Sequence, residues 1–156
     1  MKTTLIAFCL FLVTCLPSFS QNSLLDRFEG MEGITSVYIS ETMLKMMPSM
    51  QVQKGVDVGK FAGRLTGITI LSSELEATSK MLKKETAHIP KDKSYEVLMR
   101  IIDGETNVHF LIKKRPNNRI SELVMLVDEM PEFVIIHMKG DMSMEEIQAL
   151  TKQMNP

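Results

Sequence analysis

Four stretches of strand-forming residues, separated by three turns legible in the letters, run through residues 95–140 and constrain the fold more than any other part of the chain. Tyr95-Glu-Val-Leu-Met-Arg-Ile-Ile102 leads into Asp103-Gly104, a tight-hairpin signal because glycine supplies the positive φ that suits two-residue turns. Val108-His-Phe-Leu-Ile-Lys113 returns, Arg115-Pro-Asn-Asn-Arg119 turns again, and Ile120-Ser-Glu-Leu-Val-Met-Leu-Val127 follows. Asp128-Glu-Met-Pro-Glu132 is the third turn, before Phe133-Val-Ile-Ile-His-Met138 and Gly140. The pattern predicts a four-stranded meander. Glu122 with Asp128, Glu96 with Arg100, and His109 with Lys113 alternate with Leu123-Met125-Val127, Val97-Met99 and Phe110-Ile112, so one face is expected to be wetter. The last strand breaks the rule. Phe133, Val134, Ile135 and Ile136 are apolar in succession, which predicts a strand that is central or covered on both faces.

The start of the chain reads as a leader. Lys2 gives a basic n-region, residues 5–13 an apolar run, and Ser18-Phe-Ser20 a small-x-small cleavage site, so residues 1–20 are expected to be a signal peptide and residues 21–156 a single exported α+β domain. The apolar run is too short for a membrane span, which needs about 20 residues, and no transmembrane segment is expected elsewhere. The alternative is a lipoprotein anchored through Cys15 in Leu12-Val-Thr-Cys15, although Thr14 stands where lipoboxes carry Gly, Ala or Ser. The chain's 2 cysteines, Cys9 and Cys15, both fall in the leader, so the mature domain is expected to lack disulfides, thiol chemistry and cysteine-bound metals. The full chain's 18 basic and 19 acidic residues nearly cancel, and nothing global draws it toward nucleic acid.

Ahead of the meander, Leu24, Leu25 and Phe28 suggest a short helix ended by Gly30 and Gly33. Ile34-Thr-Ser-Val-Tyr-Ile39 reads as a strand, with Ser40 capping a helix that stops at Pro48. After an expected loop at 50–55, Asp57 is placed to cap a helix through Phe61, Ala62 and Leu65 that stops at Gly67. Ile68-Thr-Ile-Leu71 reads as a strand, Ser73-Glu-Leu-Glu76 as a capping box opening a helix to Thr86, and Ser143-Met-Glu-Glu146 as a second capping box opening a C-terminal helix. This order predicts an α+β domain: a largely antiparallel sheet with a C-terminal four-stranded meander, its helices packed mainly on one face.

No motif carries a reaction. Gly55, Gly59, Gly63 and Gly67 recur every four residues, but the phosphate-loop pattern fails in its spacing and again at Phe61, where a Ser or Thr must bind magnesium. His88, His109 and His137 show no zinc spacing, and the nucleophile elbow and metalloprotease signatures are absent. No cofactor and no enzyme activity are therefore expected; a hydrolase or lyase site assembled only by folding is one alternative reading. A second is a periplasmic Cu(I) protein, because the thioethers of Met43, Met46, Met47 and Met50 are soft ligands at helical spacing, although methionine is also an adaptable core filler. Charge gives a third lead. In a meander alternate turns share an end, so Lys113, Lys114, Arg115 and Arg119 form a basic tip, joined by Lys91, Lys93 and Lys139, opposite the acidic turns at 103–105 and 128–132. That tip is the expected contact for a partner, either an envelope protein or an anionic ligand.

Gly67-Ile-Thr-Ile-Leu71 leading into Ser72-Ser-Glu-Leu, together with Phe133-Val-Ile-Ile-His-Met-Lys-Gly140 followed by Met144-Glu-Glu-Ile-Gln-Ala-Leu150, resembles the DUF4252 family, small exported bacterial proteins carrying a domain of unknown function. The resemblance covers most of the mature chain. It implies the fold and a location in the periplasm or cell envelope, and it transfers no active-site residue.

Overall fold

The computed structural model describes residues 24–46, 51–52, 56–57 and 59–153. The expected leader, with Cys9 and Cys15, lies outside the described residues, as do Met47 and Met50. The described strands are β1 (Thr35–Ser40), β2 (Gln51–Val52), β3 (Val56–Asp57), β4 (Leu65–Ser73), β5 (Glu96–Asp103), β6 (Thr106–Lys114), β7 (Ile120–Glu129) and β8 (Glu132–Met142). The described α-helices are α1 (Glu41–Met46), α2 (Glu76–Thr86) and α3 (Met144–Gln153), with single 3-10 turns at Leu24–Arg27, Gly59–Arg64 and Ile89–Lys91.

The meander forms as its turns predict. Asp103 pairs with Thr106 across Gly104, whose φ is +57°, and Glu129 pairs with Glu132 across the third turn. β8 then pairs on its other side with β4, and β4 with β1, giving a six-stranded antiparallel sheet of order β1-β4-β8-β7-β6-β5. The strand that does not alternate is thus interior. Val134, Ile136 and Met138 enter one hydrophobic cluster while Phe133 and Ile135 enter another, because successive side chains of a strand point to opposite faces.

The first face is covered by α1 and α3, which bury Leu44 and Ile147 against Ile68, Phe110 and Leu123. The second is covered by α2, whose Leu82 lies with Phe28, Leu71, Leu111 and Leu126. Of the described α-helices two thus lie on the first face and α2 on the second, where Phe28 and Ile89 pack beside it. The second face is drier than the alternation suggests, since Leu111, Val124 and Leu126 stand between its polar positions and are buried. Among the described glycines Gly140 is the most closely packed: a Cβ there would press on the Arg64 carbonyl oxygen and meet Leu65 Cα at 2.9 Å.

The caps divide. Met43 N–H donates to Ser40 Oγ at 3.3 Å, and Ser143 and Glu146 form a reciprocal box, Ser143 N–H to Glu146 Oε2 at 2.7 Å and Glu146 N–H to Ser143 Oγ at 3.2 Å. The box expected at Ser73 does not form. Ser73 is the last residue of β4, its hydroxyl accepts from Leu75 N–H at 3.3 Å, and α2 begins at Glu76 without a side-chain cap. Likewise Asp57 lies in β3, and a 3-10 turn over Gly59–Arg64 replaces the expected α-helix, with Leu65 and Gly67 drawn into β4. Two interior glycines make that helix weak, and ladder bonds to both β1 and β8 outcompete it. The N-terminal segment is a 3-10 turn, Leu24–Arg27, that delivers Phe28 to the core, and part of the expected loop at 50–55 is β2.

Candidate functional site

At the basic end of the second face, beyond the cover of α2, the sheet presents a polar row. Lys113 of β6 stands opposite Glu122 of β7, which stands opposite Lys139 of β8, all on one face because alternate residues share a face. His137 lies one step along β8 on the same face, opposite Val124. Tyr95 reaches over from the approach to β5, where its N–H donates to the Asp92 carbonyl at 3.0 Å.

These side chains converge on one carboxylate. Tyr95 Oη donates to Glu122 Oε2 at 2.7 Å, His137 Nε2 lies 2.9 Å from the same oxygen, and Lys113 Nζ is 3.3 Å from Oε1. The Lys113 ammonium also sits 5.5 Å from the centre of the Tyr95 ring, within cation–π range. The hydrogen bond with His137, aided by the Tyr95 hydroxyl and opposed by partial burial, holds the Glu122 carboxyl down at about 2. Burial and the bond to Glu122 push the Tyr95 phenol well above its ordinary value. The network floors a cleft of about 250 Å³, rimmed by His88, Asp92 and Lys139. Lys139 is exposed and has no ion-pair partner among the described residues.

The basic tip is placed at this end, and its cations are engaged. Arg115 Nη1 lies 2.9 Å from Asp141 Oδ1, and Arg119 grips the same residue, with Nη2 at 3.0 Å from Oδ2, Nε at 3.1 Å from Oδ1 and a further contact to the Asp141 carbonyl. Lys114 Nζ is 2.7 Å from Glu96 Oε2. Of the four residues read from sequence, Lys113 alone joins the cleft. Lys91, expected at the basic end, instead lines a second cleft beside Asp128 and Asn107.

Met43 and Met46 are exposed on α1, whereas Met138 and Met142 are buried in the core under the first face. Among the described residues no three His, Cys, Asp or Glu side chains gather as a metal site. No helix there is long and apolar enough to cross a membrane. Tyr95 and His137 were not legible as site residues, since one reads as the start of a strand and the other as a lone strand histidine. The available signal was the shared parity of Lys113 and Glu122, which becomes meaningful only with the strand register.

The family model described as a domain of unknown function, DUF4252, matches residues 28–150. The chain belongs to this family. In this DUF4252 domain the match opens at the buried Phe28, runs through the whole sheet and closes in α3, so the polar cleft lies within the family's span. No curated protein and no solved structure matches the chain.

Proposed function

We propose that this DUF4252 domain is an exported, non-enzymatic binding domain of the periplasm or cell envelope, and that it docks an anionic group of a partner at the cleft between Tyr95, Lys113 and Lys139. The observation that carries the reading is the convergence of Tyr95, His137 and Lys113 on Glu122. Proton-transfer catalysis works best with groups that titrate near the operating pH, and here the carboxyl is held at about 2 while the phenol is pushed up. Such a network is rigid and already satisfied, which suits recognition. Lys139 supplies the unpaired charge beside it, and Lys113 adds its own over the Tyr95 ring. Export rests on the leader grammar of residues 1–20.

The test places a photoreactive benzoylphenylalanine at exposed His88 on the cleft rim, in the full chain expressed in its own cell, with Lys84 of α2 as the control position. A discrete adduct in the envelope fraction from position 88, absent from position 84 and weakened by Lys139→Ser, is the expected result. Recovery of the unprocessed chain in the cytoplasm would overturn the export reading. Adducts indifferent to Lys139→Ser would overturn the assignment of the cleft.

A further inference from the structure

The acidic half of the second face carries another cleft, of about 410 Å³, roofed by the end of α2 and the 3-10 turn at Ile89–Lys91. That volume lies in the range of small-molecule sites, roughly 300–1,000 Å³. Its floor is set by the register: Ile102, Asn107, Asp128 and Phe133 stand opposite one another across β5, β6, β7 and β8. Leu126 and Phe133 are buried at the inner end, while Ile102 on the edge strand is 65% exposed. The floor is thus apolar at its buried inner end and at its exposed edge, with the polar Asn107 and Asp128 between them.

Charge distinguishes the mouth from the floor. Lys83 Nζ is 2.6 Å from Asp128 Oδ2, so this pair cancels. Arg100 on edge strand β5 and Lys91 on the roof both line the cleft, both are exposed, and neither has an acidic partner among the described residues. His109 beside them is shifted toward its neutral form by burial and by Arg100, so it offers a hydrogen bond without adding charge. Two unpaired cations at the rim of a cleft with apolar ends complement an amphipathic anion.

We propose that this cleft binds an amphipathic carboxylate, an alkyl chain on the order of eight carbons, with the chain on Ile102, Leu126 and Phe133 and the carboxylate held by Arg100 and Lys91. A guanidinium can grip a carboxylate with two parallel hydrogen bonds, and each methylene taken out of water adds to affinity, so both ends of the ligand are needed.

Isothermal titration of the folded protein with octanoate, 1-octanol, octylammonium and acetate separates the two contributions. Saturable binding of octanoate, with the other three each at least tenfold weaker, is the expected result. Arg100→Gln with Lys91→Gln should lower octanoate affinity by about tenfold or more, since both charge-assisted hydrogen bonds to the carboxylate are lost. Ile102→Asn should weaken octanoate while leaving acetate unchanged, and a thermal melt confirms that each variant is folded. Octanol or octylammonium binding as tightly as octanoate, or full affinity in the double variant, would overturn the proposal, as would the absence of saturable binding. Lys139→Ser leaves this cleft intact, so its loss of partner adduct with octanoate binding retained separates this site from the one proposed above.

Discussion

His137 Nε2 lies 2.9 Å from Glu122 Oε2 although the two residues are not opposite in the ladder: Glu122 faces Lys139 and His137 faces Val124. The carboxylate leans diagonally across β7 and β8 to an imidazole that is nearly buried, and leaves the lysine directly opposite without it. That preference follows from solvation. A buried ring nitrogen needs a partner, whereas an exposed ammonium is satisfied by water.

Glu122 should make stability depend on pH in the acid range. Its folded value of about 2 lies below the ordinary glutamate value of 4.5, so the unfolded chain binds the proton more readily. The stabilisation is present in full above about pH 4.5 and is lost as pH falls through about 2. After discounting for partial exposure, the contribution is about 1–2 kcal/mol. Urea midpoints of the wild type and Glu122→Gln measured at several pH values should differ near neutrality and converge as the pH approaches 2; a constant gap would refute the assignment.

Tyr95 should titrate late. Of the chain's 2 tyrosines, the one bonded to Glu122 is pushed up by burial and by that carboxylate, so its phenolate absorbance should emerge well above pH ~10. Spectrophotometric titration of Tyr95→Phe should lack this late component, and the lost hydrogen bond should cost about 1 kcal/mol in a denaturant melt.

The turn at 115–119 should show unequal costs among its cations. Lys114 makes one exposed pair with Glu96, so Lys114→Ser should shift stability by less than about 0.5 kcal/mol. Arg119 holds Asp141 through both carboxylate oxygens and the carbonyl, so Arg119→Ala should lower stability more than Lys114→Ser does. Equal effects in thermal melts would mean that the Asp141 clamp contributes nothing.

Lys83 and Lys80 sit one turn apart on α2 and should differ too. Lys80 pairs with exposed Glu76, whereas Lys83 holds Oδ2 of Asp128, a residue 8% exposed whose Oδ1 is buried without a hydrogen-bond partner. Lys83→Met leaves that carboxylate buried with neither oxygen paired and should cost about 1–3 kcal/mol, against about 0.5 for Lys80→Met. The comparison is read from chemical denaturation at neutral pH.

Gly140→Ala should be the most damaging of these changes. Its methyl would press on the Arg64 carbonyl and Leu65 Cα, backbone atoms at the start of the β4–β8 ladder with little room to shift. A loss of about 3 kcal/mol or more is expected; a thermal midpoint within a degree of wild type would show that β4 and β8 can separate locally.

The meander was legible because its information is local: Asp103-Gly104 dictates a tight turn, and the unbroken Phe133-Val-Ile-Ile136 run can be buried only in a strand covered on both faces. The Ser40 and Ser143 caps were legible for the same reason, since a hydroxyl and an N–H three residues away lie within reach of one another. The segment at 57–67 and the Ser73 box were misread because β4 draws its stability from partners distant in sequence, and two ladders outweigh a glycine-broken helix and a single cap. Site chemistry was the least legible. Lys113, Glu122 and Lys139 form a row only once the register is fixed, Tyr95 arrives from 27 residues away, and the Lys91–Arg100 rim exists only where the roof after α2 settles over the edge strand. Where this chain turns and which strand lies inside follow from the order of neighbouring residues. Tertiary structure alone decided which charges stay unpaired, because pairing depends on register across strands and no residue carries that register in its immediate neighbours.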